Sequence, residues 1–228
     1  MQTVALTEPA DILAVYEQLM VPAFRPGELV TPDDLLAAVA TGTCEVVVTE
    51  EDGRRAAVAI GDFGDGVALL SYLAVSRAAR SRGLGGRLLD AVVARWRERF
   101  PLVLAEVDRP DCHEPDPSQG DPRRRLDFYE RHGALALDLP YFQPSLGEGL
   151  PREYCMLLLV LAADPSLLSA DGTRLADARA LRGFLHDALG EVEETDAAAL
   201  RLLRLAEAPD GVALVELQRY AVIEASRP

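Results

Sequence analysis

The chain has 228 residues, 49% of them hydrophobic and 26% charged, which is the composition of a folded globular protein and not of a disordered one. Thirty-seven acidic residues against twenty-three basic ones leave a formal charge of −14, a balance that repels nucleic acid unless a local basic patch reverses it. All twenty-three basic residues are arginine, as in proteins of GC-rich genomes, so Schiff-base chemistry on lysine and a P-loop lysine are excluded.

Val4 to Thr7 reads as a short strand closed by Glu8-Pro9. From Asp11 to Phe24 the apolar residues Ile12, Val15, Leu19 and Met20 recur at helical spacing. Thr31-Pro32-Asp33-Asp34 is a helix start, with a capping threonine, proline in the first turn and acids near the positive end of the helix dipole. That helix runs to Gly42. Three extended segments follow, Cys44 to Thr49, Arg54 to Ile60 and Val67 to Val75, separated by the hairpin pairs Asp52-Gly53 and Asp65-Gly66.

After the arginine- and glycine-rich stretch Arg77 to Gly86, a helix through Arg99 carries Leu88, Leu89, Val92, Val93 and Trp96 on one side. Leu102 to Val107 is a compact strand, Arg109 to Asp121 a loop dense in proline and aspartate, and Pro122 to His132 a helix ended by Gly133. Ala134 to Leu139 and Tyr154 to Leu161 are strands joined by a Pro/Gly-rich link, Pro140 to Pro151. The order β-α-α-β-β-β-α-β-α-β-β predicts an α/β fold with a sheet of mixed direction.

Asp164-Pro165 opens a different region. An amphipathic helix carries Leu181, Phe184, Leu185, Ala188 and Leu189, with His186 in an apolar neighbourhood as a structural residue. Leu200, Leu203 and Leu205 suggest a second helix, and Val212 to Ile223 fits strand or helix equally. The expected division is a domain over 1–163 and a small, mostly helical appendage over 164–228, too short to stand alone and so packed on the first.

Cys44, Cys112 and Cys155 are odd in number and far apart, with no CxxC pair. They are read as unpaired, which points to a reducing compartment. The start MQTVALTEPADIL lacks the features of a signal peptide, and the longest apolar stretch, Cys155 to Ala163, falls short of the roughly 20 residues of a membrane helix. The expectation is a cytoplasmic, soluble protein with no membrane partner.

The stretch that carries chemistry is Leu73-Ala-Val-Ser-Arg-Ala-Ala-Arg80-Ser-Arg-Gly83-Leu-Gly85-Gly86-Arg-Leu-Leu, a strand running into a glycine-rich turn that opens a helix. Unpaired N–H groups and the helix dipole there suit a diphosphate, and glycines let the backbone approach it. Arg77, Arg80, Arg82 and Arg87 place four cations within this segment of an acidic chain. A solvated loop capped by glycine is the plainer alternative. The dinucleotide-binding fingerprint fails, because its third glycine falls at Leu88.

Arg80-x-x-Gly83-x-Gly85 resembles the Q/R-x-x-G-x-G/A motif of the GNAT superfamily of acyl-CoA-dependent N-acetyltransferases. Leu126-Asp-Phe-Tyr129-Glu-Arg-His-Gly133 resembles that family's FYExxGF segment, and the order of elements from Val4 to Leu161 is similar too. The resemblance implies a mixed, mainly antiparallel sheet flanked by helices, with acetyl-CoA as cosubstrate and no metal. It implies that Leu73, Ala74 and Val75 meet the pantetheine arm, with the Val75 N–H as oxyanion donor. Arg80, Ser81, Arg82, Gly83, Leu84, Gly85 and Gly86 would hold the pyrophosphate.

Glu106, in Leu104-Ala-Glu106-Val107, resembles the glutamate that some family members use as general base; its alternative is an outward strand residue or a salt bridge. Tyr129 matches the tyrosine that protonates the leaving thiolate; its alternative is a core aromatic. The chain departs from the pattern in the insertion Asp108 to Pro122 and in the tail. Asp111-Cys112-His113-Glu114 invites a metal or nucleophile reading, but adjacent ligands do not surround a site, so the insertion is read as a loop covering the acceptor. The functional expectation is acetyl transfer to a primary amine, which the acidic charge suggests is cationic. A non-catalytic acyl-CoA-binding or regulatory module is the alternative. The oligomeric state stays open, a dimer included.

Overall fold

The computed structural model describes residues 2–51, 53–116, 120–145 and 151–227; Asp52 of the first hairpin pair and parts of the two long loops lie outside them. Among the described residues the strands are β1 (Gln2–Leu6), β2 (Cys44–Glu51), β3 (Arg54–Gly64), β4 (Val67–Val75), β5 (Leu102–Asp108), β6 (Leu135–Leu137), β7 (Met156–Ala163), β8 (Arg174–Leu175) and β9 (Val212–Glu216). They form one sheet in the order β1-β2-β3-β4-β5-β7-β6-β9-β8. Every pairing among them is antiparallel except β4 with β5, as a mixed, mainly antiparallel sheet requires.

The helices are α1 (Pro9–Val15), α2 (Pro32–Thr41), α3 (Leu84–Trp96), α4 (Pro122–Arg131), α5 (Arg179–Leu189) and α6 (Ala197–Ala206). Local chemistry sets their ends. The Thr31 hydroxyl accepts from the Asp34 N–H at the start of α2, and Asp121 accepts from the Arg123 N–H at the start of α4, each followed by proline. The predicted helix over Asp11 to Phe24 is different in kind: α1 stops at Val15, and Tyr16–Met20 continues as a wider π-turn. That turn keeps Leu19 and Met20 buried while the Tyr16 hydroxyl donates to the Val30 carbonyl at 2.8 Å.

Alternation along the strands sorts the core into two layers. Ala57 and Ala59 of β3 and Val103, Ala105 and Val107 of β5 face α3 and α4, where Leu88, Leu89, Val92 and Trp96 are buried. Val58 and Ile60 face the opposite way, onto α1 and α2. Leu102 and Leu104 share that second face and meet Leu181, Leu185 and Leu202 of α5 and α6. Glu106 is the next residue in the Leu102–Leu104 series, so it points to the second face, where these two halves of the layer meet.

The tail continues this architecture. β9 pairs with β6, Leu135 opposite Glu216, so residues 212–216 extend the sheet. Val212 to Ile223, open between strand and helix in the sequence, is strand to Glu216 and then a 3-10 turn over Leu217–Val222. The buried face of α6 is Ala199, Leu202, Leu203 and Ala206; of the three predicted leucines only Leu203 is buried. His186 is less enclosed than a structural residue in an apolar neighbourhood: its side chain is half exposed and its Nε2 lies 3.5 Å from the Glu207 carboxylate.

The cysteine reading is corrected. Cys112 and Cys155 form a disulfide, leaving Cys44 as the free thiol among the described residues. The reason is topological: β5 pairs with β7 with Asp108 opposite Met156, and the Arg109 N–H donates to the Cys155 carbonyl at 3.2 Å. The loop leaving β5 is thereby laid against the residue entering β7, however far apart the two lie in the chain. The reducing compartment inferred from unpaired cysteines loses that support. Closing a 43-residue separation, the bond is expected to contribute about 2–4 kcal/mol; chemical denaturation with and without reductant measures it. No helix among the described residues is long and apolar enough to cross a membrane.

Candidate active site

β4 and β5 pair only from Val67 opposite Leu102 to Leu70 opposite Ala105, yet the strands run on to Val75 and Asp108. Beyond Leu70 they part. On the β3 side the register slips between Ile60 and Gly61, leaving Ser71 as an extra residue at the point of divergence. The Ser76 N–H donates to the Ala56 carbonyl at 2.9 Å, and bonded and non-bonded pairs alternate along an antiparallel ladder. Leu73 and Val75 are therefore non-bonded to β3. Their N–H and C=O groups point into the opening that β5 has left, while the groups of Ala74 are spent on β3.

The two expected catalytic residues lie on opposite faces of the sheet. Glu106 follows the last residue of β5 that pairs with β4, and its carboxylate accepts from the Tyr141 hydroxyl and from Gln143 Nε2, the latter at 2.8 Å. Burial pushes its carboxyl above the usual range, the two donated hydrogen bonds pull it down, and the Asp62 carboxylate pushes it up. Tyr129 lies on the α3/α4 face, packed with Leu126 and Val107 and edge-on to Phe128. Its hydroxyl makes no hydrogen bond among the described residues, and burial pushes its pKa up to about 12. It is a protonated phenol across the whole physiological range.

At the mouth of the opening the chain passes through a 3-10 turn, Arg77–Ala79, into the exposed residues Arg80–Gly83 and then α3. Ser81 and Gly83 both take left-handed backbone angles, φ +63° and +72°. A Cβ on Gly83 would meet nothing, so conformation and not crowding by the protein calls for glycine there. Gly86 is different: a Cβ would lie 2.7 Å from Nε2 of His132, whose ring is held by Asp90 at 2.7 Å and lies against Phe128. Gly86→Ala is expected to lower stability by about 1–3 kcal/mol through overpacking of α3 on α4, read as a drop in denaturation midpoint.

The four arginines are not equivalent. Arg82 is paired with Glu51 at 2.7 Å and Arg87 donates to the Arg82 carbonyl at 3.2 Å, while Arg80 reaches back to the Val75 carbonyl at 3.4 Å.

On the second face, Tyr72 of β4 donates to the Glu28 carbonyl at 2.7 Å and accepts from the Val30 N–H at 3.2 Å, fixing the segment between α1 and α2 beside Glu106. The loop after β5 reaches that segment through Arg25 and Asp116, 3.1 Å apart. Its other end is tied down by the disulfide, by His113 Nε2 against the Tyr154 and Cys155 carbonyls, and by Arg109. Arg109 is 4% exposed and donates to the Ile223 carbonyl at 2.6 Å. Cys112 and His113 are thus occupied in holding the loop. Residues 117–119 of this loop and 146–150 of the link before β7 lie outside the described residues.

Sequence reasoning missed Tyr141, Gln143 and Tyr72. The first two fall in a link read only as proline- and glycine-rich, although Tyr141 and Phe142 are fully buried. A cavity of about 710 Å³ between the link, α6 and the C-terminal residues, lined by Tyr154, Asp196, Arg201 and Glu224, includes neither Glu106, nor Tyr129, nor the turn from Arg80 to Gly83.

Residues 42–133 match the family model described as an acetyltransferase (GNAT) domain, a span that contains the divergent strands, the turn, Glu106 and Tyr129. Over those residues the chain is similar to a GNAT acetyltransferase domain. Solved structures agree on the fold. A protein from Bacteroides thetaiotaomicron assigned to the GNAT family is 22% identical with a TM-score of 0.62, over 85% of this chain and 100% of that one. A ribosomal-protein-alanine N-acetyltransferase from Brucella melitensis is 16% identical with a TM-score of 0.51, over 70% of this chain and 98% of that one. No curated protein matches the chain.

Proposed function

We propose that the protein moves an acetyl group from acetyl-CoA to a primary amine by direct attack in a ternary complex. The observation that carries this reading is the opening between β4 and β5, with a buried carboxylate on one face and a buried phenol on the other. When bound, acetyl-CoA supplies a thioester carbonyl activated toward an amine. The main-chain groups of Leu73 and the Val75 N–H face away from β3 and can pair with an extended pantetheine arm, Ala74 packing behind them, while the Val75 carbonyl is met by Arg80; the Val75 N–H serves as donor to a developing oxyanion. Arg80, Ser81, Arg82, Gly83, Leu84, Gly85 and Gly86 hold the pyrophosphate through exposed N–H groups at the positive end of the 13-residue helix α3.

A protonated amine has no lone pair to attack with. Glu106 takes its proton, and burial, by raising the carboxyl's pKa, makes it a stronger base than an exposed glutamate. Tyr129 gives a proton to the departing thiolate. Glu106, with Asp62 acting on it, sets a negative potential on the acceptor side, which favours an amine arriving as a cation. The test is thiol release from acetyl-CoA across a panel of primary amines. Release that rises with amine concentration and yields the acetylated amine supports the reading. Acetyl-CoA binding with no amine-dependent release would leave a binding module instead.

A further inference from the structure

Glu106 is held by neutral donors alone. From the link after β6, the Tyr141 hydroxyl donates to Oε1 and Gln143 Nε2 donates to Oε2 at 2.8 Å. From β3, Asp62 acts on it as a like charge, and from β4, Tyr72 feels its field. From β7 its register partner is the apolar Leu158. Among the described residues no arginine or histidine pairs with it. One donor on each oxygen sets the plane of the carboxylate and leaves a lone pair on each for an incoming ammonium.

Tyr141 is in turn fixed from the far end of the chain. It is 1% exposed, and its carbonyl accepts from the Met156 N–H at 3.2 Å and from the Ser226 hydroxyl at 2.5 Å. The same Ser226 oxygen, on a residue only 5% exposed, accepts from the Cys155 N–H at 2.8 Å. A buried hydroxyl with both roles filled joins the disulfide-bonded Cys155 to the residue that holds Glu106. We infer that Tyr141 is a positioning residue for Glu106, presenting an ionised carboxylate to the acceptor amine, and that the C-terminal tail holds Tyr141 in register through Ser226.

Desolvation disfavours the charged carboxylate, and without a cation nearby the donated hydrogen bonds are what oppose it. Tyr141 remains a donor because burial and the Glu106 charge push its own pKa well above the ordinary tyrosine value. Since the base works deprotonated, removing the Tyr141 hydroxyl raises the pH below which activity is lost. This inference rests on Glu106 being the base, and the experiment separates the two claims.

The measurement is the pH profile of kcat/KM for the amine at saturating acetyl-CoA in the parent, Glu106→Gln, Tyr141→Phe and Ser226→Ala. Tyr141→Phe keeps the ring that fills a buried site, and Ser226→Ala offers a second route to the same readout. The expected result is an acid limb shifted up by about 1–2 pH units in Tyr141→Phe, less in Ser226→Ala, with activity recovering toward the parent at high pH. Acetyl-CoA affinity by calorimetry is expected to hold in both. If Glu106→Gln abolishes the limb but Tyr141→Phe leaves it in place, or lowers activity equally at every pH, the inference fails while the base assignment stands. A limb that survives in Glu106→Gln overturns the base assignment and the inference with it.

Discussion

Glu106→Gln is expected to lower kcat about 10²- to 10⁴-fold near neutral pH, the range for a positioned general base. The carboxamide keeps the size of the side chain and can still accept from Tyr141, and Gln143 can turn its own amide to meet the new NH₂, so the fold is expected to persist. What is lost is basicity. The sign of the pH dependence follows from the raised carboxyl: the parent loses activity as pH falls through that pKa, because the protonated acid cannot take the amine's proton. Above the pKa of the amine, free base is abundant and the defect of the variant is expected to narrow. The check is a pH–rate profile of both proteins with a saturating amine of known pKa. An equal defect at every pH assigns Glu106 to substrate positioning. No defect at all places the base elsewhere, and Asp108, two residues on, is poorly suited because Arg125 holds it at 2.8 Å.

Tyr129→Phe is expected to cost about 10- to 10³-fold in kcat with acetyl-CoA affinity unchanged. The structure makes this a clean substitution. The Tyr129 hydroxyl bonds to nothing among the described residues, so its removal orphans no partner, and the ring stays packed against Leu126 and Phe128. Stability should hold within a few tenths of a kcal/mol while turnover falls. Single-turnover kinetics, which isolate the chemical step from product release, provide the check. Parent-like turnover in the variant returns Tyr129 to a purely packing role.

Much of the fold was legible because it is written in short-range signals. Thr31-Pro32 and Asp121-Pro122 cap helices through hydrogen bonds that span two or three residues, and such signals survive in a one-dimensional reading. The turn from Arg80 to Gly86 was legible for the same reason. Gly83 takes φ +72°, an angle glycine reaches at no steric cost, so the residue type itself marks the turn. Glu106 and Tyr129 were singled out through short motifs, but nothing local said that they lie on opposite faces of the sheet. That follows from the parity of β5 and from the face on which α4 packs.

What the sequence by itself determined is the periodicity, the capping and the glycine turn, since each depends on interactions between residues a few positions apart. The tertiary structure alone decided which distant residues meet. Cys112 finds Cys155 because β5 lies beside β7, and Glu106 finds Tyr141 because the link before β7 folds back under the sheet. Gly86 proved a packing glycine only once α4 brought His132 against it. The buried face of α6 was set by what it covers, so Ala199 and Leu202 are inside and Leu200 is not. Pairings over 35 or more residues leave no periodic trace in the chain, because the order of strands and the register between them exist only after the sheet has formed.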